Sequence, residues 1–189
     1  MSRLGLLSEF EQVQTAIELI ELGARVQTLE DVTDINRGRL VRLYKEVRGE
    51  APAKGMLPYS TDWFATWKPN IHSSLFLSFY NRIKDLRGIT YSRALATAYR
   101  LYSEQVLLNN HDDDGLVLTF TRAWMLTRFI ESNQLETCLC TSCQLHFITL
   151  TYTLTDNFVC GLCSPPSRAG VSFDKSKKAS VTPIQSLAS

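Results

Sequence analysis

CLCTSCQLHFITLTYTLTDNFVCGLC, residues 138–163, contains every cysteine of the chain: Cys138, Cys140, Cys143, Cys160 and Cys163. Cys140/Cys143 and Cys160/Cys163 are C-x-x-C pairs, separated by residues 144–159. Each pair makes a tight knuckle that aims two thiolates at one ion, and two pairs at this separation have the pattern of a four-cysteine zinc site. The chain between them must leave and return. Ile148–Tyr152 and Asn157–Val159 suit the two strands of a short hairpin. Four thiolates at ~2.3 Å close a tetrahedron and leave no position for water or substrate, which makes the site structural rather than catalytic. Other chemistries fit less well. Disulfides suit secreted chains, and no leader precedes the first helix. A redox C-x-x-C stands singly near a βαβ pattern. An iron–sulfur cluster also takes four thiolates and stays open as an alternative. Cys138 can stand in for Cys140 only by widening the first pair, and it reads as a spare thiol beside the site. His146 is a substitute ligand on paper but a hairpin residue by position.

The 189 residues suffice for one domain of about 100–150 residues and a small appendage. A hydrophobic content of 44% supports a packed core. No apolar run approaches the ~20 residues needed to span a bilayer. A soluble cytoplasmic protein with reduced thiols is expected. The net charge of +1 excludes a global basic field, so any nucleic-acid contact must come from local patches. The three histidines form no nucleophile or acid–base constellation, and no Gly-rich phosphate loop occurs, so no enzyme is expected.

Upstream of the cysteines the pattern is helical. From Phe10 to Val26 the residues Val13, Ile17, Ile20 and Ala24 recur at helical steps, with Ser8 and Glu11 as a capping pair. Ala24–Leu29 either continues this helix or forms a second. Asp31–Asn36 is turn-like, and Arg37–Arg48 reads as a helix ending at Gly49, with Leu40, Leu43, Tyr44 and Val47 as its buried stripe. Helix, turn and helix together have the size of a DNA-binding helix-turn-helix. Arg37, Arg39, Arg42, Lys45 and Arg48 against Glu46 give residues 36–48 a net +4. Arginine suits guanine edges and phosphates alike, although a solvated cationic face on a bundle helix has the same pattern. Ala51–Pro58 is a breaker-rich connector. Tyr59–Trp67 is expected to be helical, with Trp63, Phe64 and Trp67 on one core or interface face. Long helices follow over Pro69–Leu86, from Thr90 or Ser92 through Leu107, and over Leu116–Ile130. His111–Asp114 with Gly115 is a turn that lacks the ligand alternation of a calcium loop. Ser164–Ser189 is polar, and Arg168, Lys175, Lys177 and Lys178 against Asp174 make it basic. It reads as a disordered tail or a DNA-contacting arm. The expected fold is mainly α: a helical domain over 1–135 that binds a partner and carries the basic helix 36–48, a zinc-binding unit over 136–169 and a disordered basic tail over 170–189.

The blocks ELGAR (21–25), RGRLVRLYKEVRG (37–49), KGMLPYSTDWF (54–64), AYRLYSEQ (98–105), TRAWMLTRF (121–129), CTSCQLHFIT (140–149) and CGLCSPPSRA (160–169), in this order, resemble the bacterial flagellar transcriptional activator family FlhC. The resemblance implies a mostly helical subunit that acts only with FlhD, in an assembly of four FlhD and two FlhC chains. It implies promoter DNA as ligand and activation of flagellar class II genes through RNA polymerase. The family's zinc cysteines fall on Cys140, Cys143, Cys160 and Cys163, for one zinc ion per chain. The family's additional cysteine lies inside the first pair, whereas Cys138 precedes it here. The expected DNA contacts are Arg37, Arg39, Arg42, Lys45, Arg48 and, presented by the zinc unit, Arg168. The competing expectation is a zinc-stabilised interaction subunit whose partner makes the DNA contacts.

Overall fold

Asn36 and Gly49 bracket the basic helix. The Asn36 Oδ1 accepts from the Arg39 amide at 3.0 Å, satisfying one of the free donors at a helix start. Gly49, at φ 70°, ends the helix in a left-handed conformation that costs glycine nothing. The computed structural model describes residues 5–109, 115–153 and 155–167. His111–Asp114, Arg168 and the 170–189 tail lie outside them.

Three helices form the N-terminal region: α1 (Leu6–Glu21), α2 (Val26–Val32) and α3 (Arg37–Arg48). Helix α1 starts earlier and stops sooner than its periodicity predicts. Gly5 is its N-cap, so Ser8 and Glu11 fall inside it and form no capping pair. At its other end the Gly23 amide bonds Ile20 O and the Ala24 amide bonds Leu19 O, with Gly23 at φ 89°. This Schellman closure turns the chain and lets α2 begin as a separate helix. Gln12 then bonds both the amide and the carboxylate of Asp34, pinning the α2–α3 turn to α1. Helix α3 packs across α1 and α2 through Leu40 and Tyr44, both buried, with Leu43 and Val47 half-buried beside them.

The expected helix over Tyr59–Trp67 is a single turn, α4 (Asp62–Ala65), and the chain breaks at Thr66 before α5 (Trp67–Lys84). Pro69 explains the break. In a continuous helix its ring would meet the carbonyl of Ala65, whereas in the first turn of α5 its missing N–H is no loss. The break also separates the aromatic trio. Phe64 is buried against Phe129, Trp63 lies under the Arg122 guanidinium at 3.8 Å, and Trp67 turns toward the cysteines.

Helix α5 packs along α6 (Tyr91–Asn109), which Thr90 caps, and α7 (Phe120–Glu131), capped by Thr119, crosses both. Phe76, Tyr99, Tyr102 and Phe120 meet edge-on or tilted in the core. The backbone leading into α7 is buried at Leu118, and two tyrosines satisfy it. Tyr99 OH donates to Leu118 O at 3.0 Å, and the Leu118 amide donates to Tyr102 OH at 3.1 Å. Tyr102 OH also meets His72 Nδ1 at 3.0 Å. Burial, then the charge of Lys68, holds His72 below its ordinary value, which keeps that nitrogen available as an acceptor. Tyr102→Phe should therefore strand a buried amide and an imidazole nitrogen. We expect a loss of about 1–3 kcal/mol, seen as a lower urea midpoint at unchanged slope.

Two strands complete the fold. β1 (Leu135–Leu139) and β2 (His146–Leu150) pair antiparallel, Leu135 opposite Leu150 and Cys138 opposite Phe147. The expected hairpin between the cysteine pairs is thus displaced. Its first strand precedes Cys140, the first C-x-x-C forms its turn, and residues 157–159 are not a strand. The pairing holds because alternate residues of LETCL and HFITL supply Leu135, Ile148 and Leu150 to the helical core.

Candidate metal centre and nucleic-acid interface

The hairpin turn shapes the first knuckle. The Cys140 amide bonds Leu145 O at 2.9 Å, and the Gln144 amide bonds Cys140 O at 2.9 Å, with Gln144 at φ 60°. The second knuckle closes on itself through the Ser164 amide and Cys160 O, 2.9 Å. The two meet where the Cys160 amide donates to Cys140 Sγ at 3.3 Å and the Thr141 amide donates to Phe158 O at 2.9 Å. Cys140 and Cys160 are fully buried against Phe147, with Cys143 and Phe158 at their margin.

This brings the Sγ atoms of Cys140, Cys143, Cys160 and Cys163 within 4.8 Å of one another. Cys143 Sγ and Cys160 Sγ are 3.8 Å apart. A tetrahedron with ~2.3 Å bonds has edges of about 3.8 Å, so the four thiols fit one ion. Cys138 is not part of the group. It shares the Phe147 face of the hairpin, but its Sγ lies 4.0 Å from Thr155 O. His146, at the exposed end of β2, is also outside it.

Electrostatics ready one thiol first. The amides of Cys143 and Cys160 favour the Cys140 thiolate and bring it down to about 6. Cys143 goes the other way, to about 12. The Leu145 amide favours its thiolate, but burial and the thiols of Cys140, Cys163 and Cys160 outweigh it. A bound dication would reverse this competition by favouring every thiolate at once.

Three hydrogen bonds between described residues, made by Asn70, Ser74 and Trp67, fasten the hairpin and its knuckles to the helices. Asn70 Nδ2 donates to Phe64 O at 2.9 Å and to Ile148 O at 2.7 Å. The Ile148 amide donates to Ser74 Oγ at 3.0 Å, and Trp67 Nε1 donates to Gly161 O at 2.9 Å. The sequence signal at Asn70 and Ser74 was weak. Each is one of several polar residues on α5, a pattern with many explanations.

Arg37, Arg39, Arg42, Lys45 and Arg48 are all on α3 and all exposed, but they divide into two sets. Arg37 pairs with Glu30 of α2, and Arg39 pairs with Glu9 of α1 at 2.7 Å. Arg42, Lys45 and Arg48 have no ion-pair partner among the described residues. The acidic partners come from other helices and do not show in the charge count of residues 36–48.

The described chain joins an N-terminal helix-turn-helix-sized trio, a basic exposed helix and a four-thiol knuckle unit, the parts of a regulator. The chain matches the family "Flagellar transcriptional activator (FlhC)" over residues 1–179 and belongs to that family. It is 48% identical to the flagellar transcriptional regulator FlhC of Gallionella capsiferriformans over 171 residues, covering 90% of this chain and 93% of that one. Against the FlhC regulators of Proteus mirabilis and Yersinia enterocolitica it is 48% and 47% identical, covering 86% and 84% of their lengths. The family is one of transcriptional regulators, not an enzyme class. No helix among the described residues is long and apolar enough to cross a membrane.

Proposed function

We propose that this chain is the DNA-contacting, zinc-holding subunit of a cytoplasmic flagellar activator. It acts with FlhD in an assembly of four FlhD and two FlhC chains, binds promoter DNA and engages RNA polymerase. The observation that carries the DNA reading is α3, whose capped N-terminal end carries Arg37 and Arg39 and whose exposed face carries Arg42, Lys45 and Arg48. A recognition helix meets base edges with its N-terminal residues. Arg42, Lys45 and Arg48 serve phosphates, and Arg168, outside the described residues, is a further DNA contact in this reading. Arg37 and Arg39 must exchange Glu30 and Glu9 for DNA, so they contribute less affinity than their charge implies.

For the metal, four soft thiolate donors around a one-ion space favour zinc, one per chain. An iron–sulfur cluster puts several irons between its thiolates and needs them wider apart than these sulfurs stand. When bound, zinc supplies cross-linking and charge neutralisation; its coordination is closed, so the role is structural. Functionally the chain then divides into a helical part over 1–135 and a zinc-braced part over 136–169.

Arg42→Ala in the assembled complex should weaken promoter binding and reduce the slope of log affinity against log salt by roughly 0.9. Unchanged affinity and slope would remove α3 from the interface. Leu6, Leu7 and Phe10, exposed together at the start of α1, favour a second reading in which the chain is an interaction subunit and FlhD alone touches DNA. Site-specific crosslinking of each subunit to promoter DNA separates the two.

A further inference from the structure

The second cysteine pair has no strand of its own to hold it. The first is the turn of a hairpin whose ladder and inward face are anchored on the helices. The second, Cys160-Gly161-Leu162-Cys163, meets the first through the Cys160 amide and through the Cys160 and Cys143 sulfurs, and closes on itself through the Ser164 amide. Between described residues, its hydrogen bond to the helical body is Trp67 Nε1 to Gly161 O, 2.9 Å.

The packing there is close. A Cβ at position 161 would lie 2.7 Å from Trp67 Cδ1 and 3.2 Å from Nε1. Gly161 has no positive φ, so a left-handed turn is not what calls for glycine here. The requirement is the approach of an indole to the backbone between two thiols. Trp67 can make that approach because Thr66, extended at ψ 150°, resets the chain between α4 and α5 and leaves Trp67 as the first residue of α5.

We propose that Trp67 is a positioning residue for the metal centre: clamped on Gly161, it holds Cys160 and Cys163 where they meet Cys140 and Cys143, and so makes metal affinity depend on helix α5. The inference rests on the four thiols being a metal site. Free of the clamp, the second pair would have to be ordered by the ion itself, at a cost to affinity. Groups that orient ligands from behind typically matter by about ten- to a hundredfold in metal affinity. Trp67 acts through a backbone carbonyl, and about tenfold is expected here.

The test is zinc affinity and zinc release in the full chain, co-purified with its partner, measured by competition with a chromophoric chelator. Trp67→Phe keeps an aromatic ring but loses the donor, and Gly161→Ala keeps Trp67 but forces it away. Each should hold zinc about tenfold more weakly and release it faster, with helical content at saturating zinc unchanged. The double variant W67L/G161A should be no worse than W67L alone, because the crowding that makes G161A harmful is then gone. Wild-type affinity and release rate in both single variants would overturn the proposal, as would full additivity in the double. Lower thermal stability with unchanged zinc affinity would also overturn it, since that marks a merely structural contact. A wild-type chain that takes up no zinc would instead refute the metal reading on which the proposal stands.

Discussion

Cys160→Ser protein should be isolated without metal, with the two C-x-x-C knuckles unfolded and the helices, with the β1–β2 ladder packed on them, still formed. Cys160 is fully buried, its Sγ is 3.8 Å from Cys143 Sγ, and its amide bonds Cys140 Sγ. Serine offers a poor donor at the centre of this group. Structural zinc supplies on the order of 10–16 kcal/mol in small fingers, far more than the few apolar contacts of Phe147 and Phe158 can replace. The helical core does not depend on the ion in the same way, because its burial runs through α1 to α7. Metal content per chain and amide exchange along the sequence check both halves of the expectation. A variant that retained a full equivalent of zinc, with the amides of both knuckles still protected, would count against the four-thiol site.

Asn70→Ala should cost nearly as much per atom removed as any change in the protein. Asn70 is buried and gives its two amide hydrogens to two carbonyls, Phe64 O on α4 and Ile148 O on β2. Alanine leaves both acceptors dry. Each stranded group costs about 1–3 kcal/mol, so a loss of about 2–6 kcal/mol is expected. The damage should also be directional. Ile148 loses one of its two polar ties to α5 and keeps the other, to Ser74, so the hairpin should loosen before the α5–α6 pair does. Urea unfolding followed at the helices, beside amide exchange in β2, tests this. A midpoint shift worth less than about 0.5 kcal/mol would mean that water replaces the side chain and that Asn70 is no tie.

These two residues show what can be read from sequence and what cannot. The cysteine group was legible because C-x-x-C spacing is local geometry, and the same holds for the end of α3, which is a chemical property of Gly49. The flagellar activator family was legible from seven short blocks in order, and the comparisons show it. What failed was non-local or lay in competing local signals. The C-terminal end of α1 depended on Gly23, whose closure overrode a helical period that continued through Ala24 and Val26. The break at Thr66 depended on the effect of Pro69 four residues upstream. The hairpin was misplaced because LETCL has little strand character of its own, and becomes a strand by what pairs with it. Asn70 and Trp67 are separated from their partners by 78 and 94 positions, and no window of sequence contains both ends of such a contact. The acid that occupies Arg39 was missed for the same reason, while Glu30, only seven positions before Arg37, was missed because it belongs to a different helix.

The strand β2 turns Ile148 and Leu150 to the helices and Phe147 to the thiols. It is a party wall between two interiors, and a party wall cannot slide. Adding or deleting one residue between Cys143 and Phe147 would exchange the occupants of the two sides. After Leu150 that constraint ends, at the exposed residues Thr151, Tyr152 and Thr153. A fluorophore or an affinity peptide therefore belongs there, and nowhere in the short span from the first knuckle to the wall.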